Sequence, residues 1–287
     1  MTAFLLFVAL VAGTATYVSW ASYSIAHGAA AWWFVLGAPI AYFAPAFVLV
    51  SLWFALSWIW RTPRPPEAQI GFASTLRLYV TEIRTVAASW VLMVLHRSLI
   101  RDPLPAPAQG PVLLIHGVLV NDGVWLSLRR FLASNGGAPI YTINYGPPLA
   151  DIEWFAEQLH TRIEAIRAAT GAERVVLVAH SMGGLVARAY LRRFGAARVA
   201  KLITIGAPHH GSMLAWSFPG TCLAQMRPGN AWLADLNHDE NRTAPVPITS
   251  IWSRHDSMVA PQASSVLGSA ENIALVGVAH NALLGDR

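Results

Sequence analysis

The sequence has little charge, and its first sixty residues have none. Only 12% of its 287 residues are Asp, Glu, Lys or Arg, against about 25% in an average soluble domain. Reading from Met1, the first of these residues is Arg61. From about residue 110 the composition becomes that of an ordinary mixed domain. The two parts of the chain are therefore expected to face two different solvents.

Cysteine is almost absent from the chain. Cys222 is the single cysteine, which excludes an internal disulfide and a fold that depends on one. A lone cysteine among apolar residues is more often a small buried side chain than a nucleophile. We therefore expect Cys222 to lie in the core.

The sequence also lacks a basic helix and a basic stripe interleaved with aromatic residues. Its net charge is +5. Residues 61–109 contribute +3 of this charge, from six arginines and three acidic residues, and the rest is scattered. This distribution argues against nucleic-acid binding. Basic residues directly after an apolar segment instead suit a membrane surface.

Two long apolar runs occupy the N-terminal part. Residues 4–20 are long enough to span a bilayer, which takes roughly 17–25 apolar residues. A cleaved signal peptide is the alternative, but it would need Lys or Arg ahead of the run. Residues 32–60 form a second run, in which Pro39 and Pro45 predict a kink or a shortened helix. Tryptophans near both ends of this run suit aromatic belts: Trp32, Trp33, Trp58 and Trp60.

These runs predict the organisation of the chain. Residues 1–65 are expected to be an all-α membrane anchor with two transmembrane helices. Residues 66–110 are expected to form a juxtamembrane helix and a proline-rich linker. Arg61 and Arg64 follow the second span, and positive flanks stay in the cytoplasm, so the third part, residues 111–287, is predicted to be cytoplasmic.

Residues 111–287 alternate short apolar runs with longer helix-like segments. Apolar runs separated by helical crossovers predict a parallel sheet that is covered on both faces. Asp151 is expected to cap an amphipathic helix that ends near residue 169. The expectation is a doubly wound α/β domain with a mainly parallel sheet of about six strands, at residues 112–115, 140–143, 175–178, 202–205, 248–252 and 273–276.

Ser181 lies between an apolar strand and a helix. Its small neighbours Ala179 and Gly183 allow the sharp turn that lifts a serine oxygen above a sheet. The helix that follows presents its N-terminal N–H groups to developing negative charge. In this context the motif favours a nucleophile over a purely structural turn, although Ala179 stands where glycine is usual.

A second motif, His116-Gly117-Val118, follows the first strand of this domain. Acyl transfer needs hydrogen-bond donors where the oxyanion forms. The backbone N–H groups of Val118 and Met182 are the natural pair, and Gly117 permits a close approach. His116 precedes the nucleophile, so we expect it to orient this loop rather than act as the base.

A serine nucleophile needs a base, and the base needs a group that orients it. In domains with this turn the order along the chain is serine, acid, histidine. His280 follows a late strand through a turn of small residues and is the predicted base. Asp256 closes the preceding strand and is the predicted acid. The other candidates lack such a position: His209, His210, His238, His255, Asp235, Asp239 and Glu240.

These motifs resemble the bacterial lipases of the α/β-hydrolase superfamily, especially the small ones with little or no lid. The resemblance covers residues 111–287 and rests on segments 116–117, 179–184, 205–211 and 277–284 and on the segment of Asp256. It implies the α/β-hydrolase fold and the cleavage of carboxylic esters, expected to be lipid or acyl esters, through an acyl-enzyme intermediate. It implies the triad Ser181, Asp256 and His280, with Val118 and Met182 as oxyanion donors.

The expected reaction needs no cofactor and no metal. Some lipases bind structural calcium, but the sequence has no acidic cluster at ligand spacing. The expected partners are a lipid or small ester and the membrane around the N-terminus, with no nucleic acid. The predicted location is the bacterial inner membrane.

Three questions stay open at this stage. Residues 207–246 hold Met213, Leu214, Trp216, Phe218 and Trp232, which suit an acyl pocket, a small flap or core packing equally. A membrane-bound acyltransferase would use the same triad. A non-catalytic membrane scaffold is a further alternative, although all three triad candidates are present. A transporter is disfavoured because the two spans contain no charged residue.

Overall fold

The N-terminal part consists of three long helices and one short one. The structure is a computed structural model that describes residues 2–238 and 244–285. The helices are α1 (Thr2–Ala26), α2 (Trp32–Ile59), α3 (Phe72–Val94) and α4 (His96–Leu99). By length and composition, α1 and α2 are long and apolar enough to cross a membrane. Of the two alternatives predicted from the prolines, a kink or a shortened helix, the shortening is not found, since α2 continues through both Pro39 and Pro45.

Helices α1 and α2 pack against each other as a hairpin. The Tyr17 hydroxyl donates a hydrogen bond to the carbonyl oxygen of Phe34, at 2.6 Å. The rings of Trp20 and Phe34 meet edge to face, with centroids 5.0 Å apart. Polar and aromatic contacts therefore join the two helices near their connection.

Helix α3 packs along the second half of α2. Ala46 and Val50 of α2 and Val86 and Ala87 of α3 form a small buried cluster. The Tyr42 hydroxyl donates to the carbonyl oxygen of Ala87, at 2.7 Å. Alanines at the contact let the two helices approach closely, so α2 and α3 form one packed unit.

The rest of the chain forms an α/β domain around a parallel sheet. Within the described residues the sheet has six strands in the order β2-β1-β3-β4-β5-β6, and every neighbouring pair is parallel. The predicted fold class is therefore confirmed. The strands are β1 (Val112–Ile115), β2 (Ile140–Ile143), β3 (Val175–His180), β4 (Val199–Ile205), β5 (Ile248–Ser253) and β6 (Glu271–Leu275).

Both faces of the sheet are covered because successive side chains of a strand point to opposite sides. Leu113 and Ile115 belong to the larger core with the central helices, whereas Leu114 belongs to the smaller core around Trp125. The helices of this domain are α5 (Leu126–Asn135), α6 (Ile152–Thr170), α7 (Met182–Phe194), α8 (Thr221–Gln225) and α9 (Ala231–Leu236). The carboxyl ends of the strands share one edge, where ligands of α/β sheets bind.

Asp151 caps α6 as expected. Its carboxylate accepts a hydrogen bond from the backbone N–H of Glu153, at 2.8 Å. The same oxygen accepts from the side-chain amide of Gln225, at 2.7 Å. The cap therefore also holds α8 against the start of α6.

The segments between the helical unit and the sheet are bound to the α/β domain. Arg162 pairs with both carboxylate oxygens of Asp102, at 2.6 and 2.7 Å. The side chain of Arg64 donates to the carbonyl oxygen of Arg254, at 2.9 Å. The Asn121 side-chain amide donates to the carbonyl oxygen of Met93, at 2.9 Å. The last of these contacts joins the end of α3 to the loop after β1, at the carboxyl edge of the sheet.

Helix α7 crosses β1 so closely that residue 183 must be glycine. A Cβ atom on Gly183 would lie 2.5 Å from the backbone oxygen of Ile115 and 2.6 Å from that of His116. We expect Gly183→Ala to lower the free energy of unfolding by about 1–3 kcal/mol. The measurement is denaturant unfolding of the detergent-solubilised protein, followed by circular dichroism.

Gly137→Ala is the matched control for this substitution. A Cβ atom on Gly137 would have nothing within 4 Å, so the change in stability should stay within about 0.5 kcal/mol. Equal stability of Gly183→Ala and the wild type would contradict the close packing of α7 on β1.

Candidate active site

Ser181 occupies a sharp turn between strand and helix. Strand β3 ends at His180 and α7 begins at Met182, so Ser181 alone makes the turn. Its φ of 55° and ψ of −129° are strained for a residue other than glycine. A Cβ atom on Gly117 would lie 2.9 Å from the Ser181 Cβ. The loop after β1 therefore lies directly against the serine.

His280 and Asp256 form a buried hydrogen bond. The His280 Nδ1 and the Asp256 Oδ2 are 2.8 Å apart, and both side chains are almost fully buried. The other carboxylate oxygen of Asp256 accepts from the backbone N–H groups of Met258 and Val259, both at 2.8 Å. These two bonds fix the carboxylate, so its free oxygen is aimed at His280.

The surroundings of His280 favour its protonated form. Burial lowers the pKa of His280, but the charge and hydrogen bond of Asp256 and the charge of Glu82 outweigh this and raise it above 6.5. The ring of His180 lies beside it, with centroids 4.7 Å apart. Burial and the charge of His280 hold the pKa of His180 well below 6.5, so His180 stays neutral.

Ser181 and His280 line the same cavity. Its volume is about 300 Å³ and its wall is mainly apolar, which is typical of a site for a small organic ligand. The α/β domain contributes loops 117–120, 212–218 and 258–259 to this wall. The N-terminal helices contribute eight further residues: Leu49, Leu52, Trp53, Leu56, Val86, Ser89, Trp90 and Met93.

The predicted oxyanion residues lie around Ser181. Gly117 and Val118 line the cavity next to the serine. Met182 is buried and begins α7. The first backbone N–H groups of a helix have no acceptor within the helix. The first N–H groups of α7 therefore lie next to Ser181, and that of Gly184 donates to the Ser181 carbonyl oxygen at 3.0 Å.

His116 lies behind the loop rather than in the cavity. In its neutral form, its Nδ1–H donates to the carbonyl oxygen of Gly117, at 2.8 Å. Its ring stacks on that of Tyr145, whose hydroxyl donates to the His116 carbonyl oxygen. Burial lowers the pKa of His116 to about 4, so the ring is neutral at physiological pH. These contacts support the loop after β1 from the side away from the cavity.

The rival candidates are engaged elsewhere. His255 accepts a hydrogen bond from the Gly277 N–H, at 3.1 Å, and burial lowers its pKa to about 4. Asp235 pairs with Arg192 on the surface. Burial raises the pKa of the Cys222 thiol to about 11, so it is not a thiolate. Asp239 and Glu240 lie outside the described residues.

The segment between β4 and β5 combines two of the alternatives left open by the sequence. Leu214 and Phe218 line the cavity beside Ser181. Trp232 instead packs against the larger core, and its indole N–H donates to the Glu153 carboxylate at 2.8 Å. One part of the segment is pocket wall and another is core packing.

Among the described residues, no group of three or more His, Cys, Asp or Glu is placed to hold a metal ion.

Glu82 is the residue near the site that sequence reasoning missed. It lies on α3, is fully buried, and accepts four hydrogen bonds from the loops that follow Asp256 and His280. A signal was available in the sequence. Leu78, Glu82 and Val86 recur at a spacing of four and all are buried, so Glu82 stands on the apolar stripe of its helix.

Comparison with known proteins indicates which fold the α/β domain has. Residues 110–237 match the family model described as the alpha/beta hydrolase fold. Lipase B of Aspergillus fumigatus superposes on 67% of this chain and 54% of its own, with a TM-score of 0.58 and 22% identity. This degree of identity supports the fold alone.

Two curated relatives match part of this chain. A triacylglycerol lipase of Pseudarthrobacter phenanthrenivorans is 36% identical over 118 residues, which cover 38% of this chain and 36% of the relative. A triacylglycerol lipase of Burkholderia plantarii is 36% identical over 118 residues, or 38% of this chain and 32% of the relative. The chain thus spans about a third of the length of these relatives. Topology, family model and structural likeness agree that this chain has the α/β-hydrolase fold.

Proposed function

We propose that this protein is a serine hydrolase that cleaves carboxylic esters. The observation that carries the proposal is the buried hydrogen bond between His280 and Asp256, beside a strained Ser181 on the same cavity. The two relatives described above are named triacylglycerol lipases, which supports ester cleavage as the reaction. In this proposal Ser181 is the nucleophile, His280 the base and Asp256 the group that orients the base.

The arrangement suits a two-step reaction. Because Nδ1 of His280 is held by Asp256, its Nε2 is left to take the proton of Ser181 as the serine oxygen attacks the ester carbonyl. The N–H groups of Val118 and Met182 stabilise the resulting oxyanion. The His280 imidazolium then protonates the leaving alcohol, and an acyl-enzyme remains. Water, deprotonated by His280, releases the acid and restores Ser181.

We also propose that residues 1–65 anchor the protein in a membrane, with residues 66–110 as the juxtamembrane part and 111–287 as the catalytic domain. The apolar length of α1 and α2 supports the anchor. The guanidinium of Arg61 lies over the Trp58 ring, 3.3 Å from its centroid, a pairing that suits a membrane interface. The position of Arg61 and Arg64 after the second span supports a catalytic domain on the cytoplasmic side of a bacterial inner membrane.

Removal of the Ser181 hydroxyl should abolish esterase activity. We expect Ser181→Ala to lower kcat/KM for p-nitrophenyl butyrate by at least about a thousandfold, because no other group can form the acyl-enzyme. The measurement is p-nitrophenol release by the detergent-solubilised full chain. Release of butyrate in equal amount shows that water is the acceptor of the acyl group.

Ser134→Ala provides the matched control. Ser134 is exposed on α5, away from the cavity, so its loss should leave the rate unchanged. Equal rates for Ser181→Ala and the wild type, with both proteins folded by circular dichroism, would refute the proposal.

A further inference from the structure

Helix α2 presents one face to the active-site cavity. Leu49, Leu52, Trp53 and Leu56 all line it. Their spacing of three and four residues places them on one side of the helix. These residues lie outside the segment that matches the α/β-hydrolase family model, which begins at residue 110. An apolar helix from outside that segment therefore forms part of the wall beside Ser181.

Helix α3 repeats the same pattern. Val86, Ser89, Trp90 and Met93 line the cavity, again at intervals of three and four residues. The two helical faces line the same cavity as the loop after β1, Leu214 and Phe218. Seven of the eight helical side chains are apolar, so this wall suits a hydrocarbon chain rather than a polar group.

The position of these residues along α2 indicates where the hydrocarbon chain of a ligand would come from. The 28 residues of α2 make a helix about 42 Å long at 1.5 Å per residue. A bilayer core is about 30 Å thick, so in the proposed anchor α2 is longer than the hydrocarbon by about two turns. Because the charged Arg61 closely follows α2, we assign this excess to the C-terminal end, which would bring Leu52 and Leu56 to the level of the interface, where the ester bonds of membrane lipids are found.

We propose that α2 and α3 form the acyl-chain site of the enzyme, that its substrate is a long-chain acyl ester taken from the bilayer, and that Leu52 and Leu56 set the accepted chain length. This inference rests on the proposed esterase function. The membrane anchor then serves as a specificity element as well as an attachment.

A bulkier side chain on α2 within the acyl-chain site should shorten the acyl chain that the enzyme prefers. Leu56→Trp adds bulk where the chain would lie. We expect it to lower the ratio of kcat/KM for p-nitrophenyl palmitate to that for p-nitrophenyl acetate by about tenfold or more, since even one methylene changes discrimination about tenfold or more. Leu52→Trp should act in the same direction. The measurement uses the full chain in one detergent for all variants.

Leu36→Trp is the matched control, because Leu36 is on the same helix, is 62% exposed and does not line the cavity. A ratio that falls for Leu56→Trp or Leu52→Trp but not for Leu36→Trp supports the proposal. An unchanged ratio in both cavity variants, or an equal fall in all three, overturns it. Acetate ester turnover that depends on Ser181 is read in the same assay, so loss of the acyl site and loss of the esterase function are distinguished.

A second inference concerns Glu82, and a different observation carries it. Oε1 accepts from the Ser257 hydroxyl at 3.1 Å and from the backbone and side-chain N–H groups of Asn281 at 3.0 and 2.8 Å. Oε2 accepts from the Ala282 N–H at 3.0 Å. Burial raises the pKa of Glu82, and the hydrogen bonds from Asn281 and Ala282 and the charge of His280 oppose this shift. Every partner is a donor, which favours the ionised carboxylate. One side chain of α3 thus joins the residues that directly follow Asp256 and His280.

We infer that Glu82 is a positioning residue for His280. It holds the backbone that carries the imidazole, and its charge faces the ring together with that of Asp256. Three titratable groups surround His280: Asp256 from the loop after β5, Glu82 from α3, and His180 at the end of β3. Both carboxylates raise the pKa of His280, whereas His180 stays neutral.

The pH profile separates this role from a merely structural one. The base must be neutral to act, so kcat/KM should rise with pH through a midpoint above 6.5 in the wild type. Glu82→Gln keeps the shape but removes the charge, which lowers the pKa of His280. We therefore expect the acid limb to move to lower pH and the limiting rate for p-nitrophenyl acetate to fall.

Glu82→Asp is the conservative partner and should keep the acid limb at the wild-type pH, because it retains the anion. If Glu82→Gln lowers the fraction of folded protein, Glu82→Asp provides the test instead. An acid limb that stays in place in Glu82→Gln, or that moves equally in Glu82→Asp, would overturn the positioning role.

Discussion

The hydrogen bond between His280 and Asp256 is the constraint on which the rest of the site depends. Burial of a carboxylate is costly unless donors compensate it. Two backbone N–H groups supply that compensation at one oxygen of Asp256, and His280 supplies it at the other. The two residues follow adjacent strands, β5 and β6, so the parallel sheet brings them to one edge. The fold therefore provides the pair before any ligand binds.

The opposite side of the site is defined by strain at Ser181. Holding a serine at positive φ costs about 1–3 kcal/mol, and the packing around the turn must offset this cost. Gly117 and Gly183 allow the loop after β1 and the start of α7 to close on the turn. His116 and Tyr145 support that loop from below. The serine is thus fixed by backbone packing, whereas the histidine is fixed by charge and hydrogen bonds.

The N-terminal helices form part of the site and are not merely attached to the α/β domain. Glu82 binds the loops of the triad candidates, and α2 and α3 close the apolar wall of the cavity. In the proposed account one structural unit therefore meets the membrane, the acyl chain and the catalytic histidine. A change at the anchor is then expected to affect both specificity and rate.

Local patterns predicted most of the α/β domain from the sequence. The strand, serine and helix around Ser181 are contiguous, and Asp256 and His280 each follow an apolar strand, so short-range signals were enough to propose all three. Strand β4 begins at Val199, three residues before the predicted start, because Lys201 interrupts the apolar run. Helix α2 continues through Pro39 and Pro45, although each proline lacks the N–H for one backbone hydrogen bond.

Long-range contacts could not be predicted in this way. Glu82 and Asn281 are 199 residues apart in the chain, and no periodicity relates them. The burial of Glu82 was visible only as a charge on an apolar stripe, which a surface reading explains equally well. The place of α2 in the cavity wall could not be predicted because a membrane span alone would explain its apolar composition.

Covalent labelling of Ser181 tests the central claim most directly. The full chain in detergent would be treated with an alkyl fluorophosphonate, and the adduct located by intact mass and peptide mapping. The account predicts one adduct per chain, on Ser181, with labelling slowed at least about a hundredfold in His280→Ala, because the base that activates the serine is lost. An unlabelled wild-type protein, or an adduct on another residue, would contradict it.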